Sequence, residues 1–202
     1  MTETHAPLQA SDAEALTVNL QSIRLTNGQF YQLCEDNPEL RLELTAQGEL
    51  IAMSPTGSKT GLRNAALIRQ LGEWAKKDGR GVTFDSSAGF SLPNGAKRSP
   101  DASWLRKERW ERLSEKEQET FAPVCPDFVV ELRSPRDRIE ALQSKMAEYL
   151  DNGAQLGWLV DPIEKRLYIY RAGEPTQCLE DPKSVEGGDM LSGFVLDLGE
   201  LW

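Results

Sequence analysis

Asp127-Phe128-Val129-Val130-Glu131-Leu132, then Ser134-Pro135-Arg136-Asp137, a helical stretch, and Gln155-Leu156-Gly157-Trp158-Leu159-Val160 together decide the fold. The first run is almost continuously apolar, the mark of a central strand buried on both faces. Ser134 to Asp137 breaks it and caps a helix running to about Leu150, with Ile139, Leu142, Met146, Tyr149 and Leu150 as its buried stripe and Gly153 beyond. The second apolar run is another buried strand ended by Asp161-Pro162, and Arg166 to Tyr170 reads as its neighbour. A strand-helix-strand unit of this kind predicts a right-handed crossover.

Upstream, Thr26-Asn27-Gly28 supplies a cap for a short helix carrying Phe30, Tyr31, Leu33 and Cys34, which ends near Asn37-Pro38. The alternation from Arg41 to Thr45, the turn Ala46-Gln47-Gly48 and the run Glu49 to Met53 predict a hairpin, stopped by Ser54-Pro55-Thr56-Gly57. From Thr60 to Lys77, Leu62, Ala65, Ala66, Ile68 (or Leu67), Leu71, Trp74 and Ala75 recur at helical spacing, with Gly79 as C-cap. Short strands are expected over 82–85, 88–92 and 102–105, and a helix plus loop over the charged stretch 106–120. The order predicts an α/β domain over residues 21–202, a mixed central sheet flanked by helices, behind a flexible leader over residues 1–20. There is no internal repeat and no linker to a second domain.

Composition narrows the chemistry. The 202 residues are 39% hydrophobic and 27% charged, as in ordinary globular chains. A chain of this length hides roughly 70% of its unfolded surface, enough for a core and a cleft. Cys34, Cys125 and Cys178 form no CxxC pair, so neither a disulfide framework nor a thiolate zinc site is indicated. No apolar run approaches the ~20 residues that cross a bilayer, and the polar start is unlike a signal peptide, so a cytoplasmic location is expected and no membrane partner. The single histidine, His5, falls in the leader. Catalysis that needs an ordered imidazole is thereby excluded, which leaves carboxylates, lysines, arginines and hydroxyls. Phosphate-cradling glycine loops are missing as well. The net charge is −9, yet Thr56 to Arg112 holds 12 Lys+Arg against 6 Asp+Glu, a balance that permits one basic face on an acidic body.

Three residues invite a catalytic reading. Glu131 lies inside the buried run Phe-Val-Val-Glu-Leu, where an ionised carboxylate costs several kcal/mol unless a cation meets it. That cation is either Arg133, two residues on and on the same strand face, or a metal. Asp101, in Arg98-Ser99-Pro100-Asp101-Ala102-Ser103-Trp104, follows a proline that bars helix at Ser99 and fixes the backbone at the start of a strand. Lys145 falls at the edge of the helix stripe, from which it either snorkels to water or hangs over the end of the strand bearing Glu131.

Pro-Asp101, about 30 residues, Glu131 in a buried strand and a basic residue close by resemble the layout of the PD-(D/E)XK nucleases, in which two carboxylates hold Mg²⁺ and the metal activates water. The resemblance tightens over five blocks: Leu44 to Gly57, Ser99 to Trp104, Pro126 to Pro135, Lys145-Met146-Ala147-Glu148-Tyr149 and Gly157 to Pro162. In this order they resemble the Uma-type restriction endonuclease family, over about Arg24 to Arg171. The resemblance implies a restriction-endonuclease-like fold, Mg²⁺ or Mn²⁺ held by Asp101 and Glu131, and an earlier acidic residue, Glu43, near the same site. It implies DNA as partner, with a homodimer as a further option. One position departs from the pattern: Arg133 stands where the Glu-x-Lys element has lysine, and arginine is no proton acceptor. Lys145 is the natural substitute, with Arg133 or Ser134 steadying phosphate. If neither cation reaches the site, the chain is a silent nuclease-fold module for binding DNA or protein.

Overall fold

The computed structural model describes residues 15–202. Residues 1–14, with His5 and most of the expected leader, lie outside the described residues. Strand β1 (Leu16–Asn19) falls inside the stretch read as leader. Helix α1 (Asn27–Glu35) begins at Thr26, where the Gln29 N–H donates to the Thr26 hydroxyl and the Thr26 N–H donates to the Gln29 side chain, a reciprocal capping box. Strands β2 (Arg41–Leu44) and β3 (Glu49–Met53) make the expected antiparallel hairpin, with Leu44 opposite Leu50. β1 pairs with the other edge of β3, so backbone pairing orders a four-residue segment too short to show a period.

Helix α2 (Ser58–Asp78) ends at Gly79, which takes a left-handed conformation at φ 70° where a side chain would be strained. Four strands follow: β4 (Gly81–Asp85), β5 (Phe90–Ser91), β6 (Lys97–Arg98) and β7 (Ala102–Arg106). The strand expected over 88–92 is thus only two residues long. The charged stretch after β7 yields two single-turn helices, α3 (Lys107–Trp110) and α4 (Glu115–Gln118), because the Ser114 and Glu117 capping box starts a second helix. The chain then runs through β8 (Phe128–Leu132), α5 (Ile139–Asp151), β9 (Leu156–Asp161), β10 (Arg166–Arg171), β11 (Gln177–Glu180), β12 (Ser184–Glu186) and β13 (Val195–Asp197). Ser134 to Asp137 forms a turn, closed by the Ser134 N–H on the Asp137 carboxylate, so α5 starts a little later than the cap predicts.

The central sheet has six strands in the order β11-β10-β9-β8-β7-β4. Its one parallel pair is β8 with β9, the two strands that α5 connects. The fold is therefore the mixed α/β architecture expected from the sequence. A second, five-stranded sheet, β1-β3-β2-β6-β5, takes up the hairpin. Two-residue strands such as β5 and β6 carry no periodicity, which is why this sheet was not foreseen.

Period two sorts β8 between two cores. Phe128, Val130 and Leu132 pack with Leu67 and Leu71 of α2 on one face, while Val129 joins Met146 and Tyr149 of α5 on the other. Glu131 shares the face of Val129 and is directed at α5. A Cβ on Gly157 would meet Met146 Cε at 2.3 Å, so its missing side chain lets α5 lie close on the sheet. Among the described residues, no helix is long and apolar enough to cross a membrane.

Candidate active site

α5 bridges the two sheets above the end of β8. Lys145 and Tyr149, one turn apart, both reach Glu131: Lys145 Nζ lies 2.9 Å from Glu131 Oε1, and the Tyr149 hydroxyl donates to the same oxygen at 3.0 Å. The other side of the site comes from β2. Its alternation sends Leu42 and Leu44 into the small core around Phe30 and leaves Arg41 and Glu43 on the face toward α5. Lys145 Nζ donates to Glu43 Oε1 at 2.8 Å. The Ser99 N–H donates to that oxygen at 2.9 Å, and Arg98 Nη1 donates to Glu43 Oε2 at 3.0 Å. Arg98 Nε continues the network to Glu148 at 2.6 Å.

Asp101 precedes β7 and is tied to the end of β8, where the Leu132 N–H donates to its Oδ2 at 2.9 Å. Its Oδ1 faces Arg41 Nη1 at 3.7 Å, an ion pair without a hydrogen bond.

The electrostatics sort the carboxylates. Burial, aided by Asp101 and Glu43, pushes Glu131 up to about 7 in spite of Lys145. Burial also raises Asp101, against the pull of Arg41. Glu43 goes the other way: burial opposes its ionisation, but Lys145 and Arg98 outweigh burial and hold it at about 2. Lys145 is raised, since the Glu131 and Glu43 carboxylates overcome its burial, and it stays an ammonium. Burial and the neighbouring Glu131 raise the Tyr149 hydroxyl, which stays a neutral donor.

Asp101, Glu131 and Lys145 open onto one cavity of about 320 Å³, whose wall also carries Arg41, Lys59 and Arg136. A buried and a half-buried carboxylate, both with raised pKa values and next to an open volume, are a place where an added cation lowers the energy. Among the described residues no three His, Cys, Asp or Glu side chains come together as a group that could hold a metal ion. The donor set is therefore two carboxylates. It fits Mg²⁺, which takes one or two carboxylates and fills its remaining positions with water and substrate phosphate.

Two sequence expectations need correction here. Glu43 is not on the cavity wall, and it accepts from Ser99, Lys145 and Arg98, so it anchors the lysine instead of facing the open volume. Arg133 does not meet Glu131. Its Nη1 pairs with Asp161 Oδ2 at 2.7 Å and its Nε donates to the Asp137 carbonyl at 3.3 Å, away from the cavity wall. The structure thus gathers Glu43, Asp101, Glu131 and Lys145 and leaves Arg133 aside. Ser134 does line the cavity. Arg41, Arg98 and Tyr149 were not foreseen. Tyr149 was within reach of sequence reasoning as the residue four after Lys145, whereas Arg98 sits on the two-residue strand β6, whose pairing with the strand of Arg41 no pattern reveals.

A family model described as Uma2, "Putative restriction endonuclease", matches residues 28–199. Among solved structures, one from Anabaena variabilis described as a putative nuclease belonging to DUF820 is similar to this chain, with a TM-score of 0.71 at 22% identity, covering 88% of this chain and 97% of its own. At that identity the likeness concerns the fold. No curated protein matches the chain.

Proposed function

The chain belongs to the Uma2 family, whose model spans residues 28–199, and from that membership and the site just described we propose that it is a Mg²⁺- or Mn²⁺-dependent endonuclease hydrolysing DNA phosphodiester bonds. The observation that carries this reading is the meeting of Asp101, Glu131 and Lys145, from the lead-in to β7, from β8 and from α5, on one cavity wall. Held by Asp101 and Glu131, the ion supplies Lewis acidity at the scissile phosphate and makes water a better nucleophile. Every other part of the work falls to side chains of the chain.

Lys145 orients the attacking water and offers a compact N–H donor to the charge that develops on phosphate. Glu43 keeps its Nζ at the Glu131 edge of the cavity, and Tyr149 fixes the Glu131 carboxylate by occupying Oε1, so both are positioning residues. Arg41, Lys59 and Arg136 give the wall a positive balance against substrate phosphate, although the whole chain carries −9. The silent-module reading rested on that net charge and on Arg133. The approach of Lys145 to Glu131 weighs against it, because α5 supplies the lysine that the strand lacks.

The test is cleavage of supercoiled plasmid in Mg²⁺, Mn²⁺ or EDTA by the parent protein, Glu131→Gln and Lys145→Met. Metal-dependent nicking or linearisation by the parent alone is expected. A folded parent that takes up Mn²⁺ and leaves every DNA form intact favours the silent module.

A further inference from the structure

Arg41 opens β2 two residues before Glu43 and shares its face, with its guanidinium on the wall of the cavity that holds Asp101, Glu131 and Lys145. Its donors are poorly used. Nη1 stands 3.7 Å from Asp101 Oδ1, beyond hydrogen-bond range, and Nη2 reaches only the Ser99 carbonyl at 3.2 Å. Nε is buried with no partner among the described residues. The other arginines near the site differ: Arg98 has Glu43 at 3.0 Å and Glu148 at 2.6 Å, and Arg133 has Asp161 at 2.7 Å. Arg136, on the same wall, is exposed and solvated.

A planar guanidinium that makes one hydrogen bond within the chain and lines a cavity, with Nη1 beyond hydrogen-bond range of its carboxylate, matches a tetrahedral oxyanion. We propose that Arg41 is the residue that binds the substrate's phosphodiester oxygens, and that a divalent cation frees it by replacing it beside Asp101. This rests on the functional reading above. Arg41 and the cation compete for one carboxylate. The exchange turns Arg41 from a partner of Asp101 into a donor for substrate, so cation and DNA strengthen each other's binding.

The experiment measures binding of a short DNA duplex by fluorescence anisotropy in Ca²⁺ and in EDTA, together with Mn²⁺ affinity by titration without DNA, for the parent, Arg41→Gln and Arg41→Lys. For the parent, Ca²⁺ should tighten DNA binding. Arg41→Gln should weaken it at least about tenfold in Ca²⁺ and flatten its salt dependence by about one phosphate contact, with Mn²⁺ affinity equal to the parent's or tighter. Arg41→Lys keeps the charge without the fork and should lie between the two, which guards against a glutamine variant that fails to fold. Parental DNA affinity in Arg41→Gln overturns the inference, and so does a loss of Mn²⁺ binding, which would make Arg41 a structural support for Asp101. A parent that cleaves DNA while Arg41→Gln binds it normally overturns this inference alone. A parent that binds neither Mn²⁺ nor DNA overturns the functional reading with it.

Discussion

Lys145 Nζ on α5 and Glu43 Oε1 on β2 lie 2.8 Å apart although 102 residues separate them in the chain. This contact fastens the crossover helix of the central sheet to the second sheet. It also sets where the ammonium stands, because an unpaired Lys145 would be pulled toward Glu131 or solvent instead of being held between two carboxylates.

The pair has a pH signature. Glu43 titrates at about 2 in the fold against an ordinary value near 4.5, so its contribution is complete above 4.5 and is lost as pH falls toward 2. The stability at stake is on the order of 3 kcal/mol. Glu43→Gln should melt well below the parent at pH 7, because Lys145 and Arg98 lose their anion. The gap should shrink steadily between pH 4.5 and 2 as the parent loses its advantage. Melting curves over that range decide it, and a gap independent of pH would assign Glu43 a role that does not depend on its charge.

Glu131 has the opposite sign. Its pKa is raised to about 7, so the stability linked to its protonated form is full below about 4.5 and is lost as pH rises through 7. In EDTA at pH 8, Glu131→Gln removes an unfavourable buried charge while keeping the shape. It should melt at or above the parent and cut no DNA. A marked drop in its melting temperature would show that the ion pair with Lys145 is the residue's main purpose.

Metal should stabilise the parent by mass action, by about 2.7 kcal/mol at a hundred times the dissociation constant, which is several degrees in melting temperature for a chain of this size. Asp101→Asn combined with Glu131→Gln should abolish the shift in both Mg²⁺ and Mn²⁺. A parent whose melting does not move at millimolar metal, or a double variant that still responds, removes these two carboxylates as the ligand pair.

What the sequence made legible follows the reach of each signal. β8, β9, α5, α2 and the β2–β3 hairpin are whole elements whose burial pattern repeats along their length, and all stand where the pattern puts them. β11 to β13 and the two-residue strands of the second sheet are too short to show a period. In the site, Glu131 stands out as a charge in a buried run, and Lys145 as a cation at the edge of a stripe. The anchoring role of Glu43 is invisible because its partner is 102 residues away. Arg133 was misread for a subtler reason. Period two places it on the face of Glu131, but the parallel register that sets Leu132 opposite Val160 brings it beside Asp161, and only the register shows this.

That placement yields a prediction for Arg133. Asp161 is almost wholly buried and also accepts the Ile163 and Glu164 N–H groups. Arg133→Gln strands this carboxylate and should cost about 3 kcal/mol or more of stability, the usual consequence of breaking one partner from a buried pair. Turnover of the surviving folded fraction should equal the parent's. Arg133→Lys, which restores the Glu-x-Lys spelling, should leave turnover unchanged as well. A rise in turnover with Arg133→Lys would mean that the side chain can leave Asp161 and enter the cavity.

Lys145 is the strongest test of the chemistry. Its ammonium lies within 2.9 Å of both Glu43 and Glu131 and lines the cavity, so removing it strips the site of the compact cation held between its carboxylates. Lys145→Met keeps the length and apolar stem. It should lower turnover by something on the order of 10²-fold or more, the range for removing one preorganised donor to transition-state charge. Because Asp101 and Glu131 remain, Mn²⁺ should still bind. Loss of the lysine also leaves Glu131 facing Asp101 and Glu43 without compensation, so metal should stabilise Lys145→Met by more than it stabilises the parent. Arg98 still satisfies Glu43, which limits the damage to the fold. Lys145→Arg tests the geometry separately: it keeps the charge but offers a planar fork where a compact donor is needed, and it should restore stability without restoring turnover. Cleavage at the parental rate by Lys145→Met would reduce Lys145 to a structural tie between the sheets and leave the lysine of the nuclease pattern without a substitute in this chain.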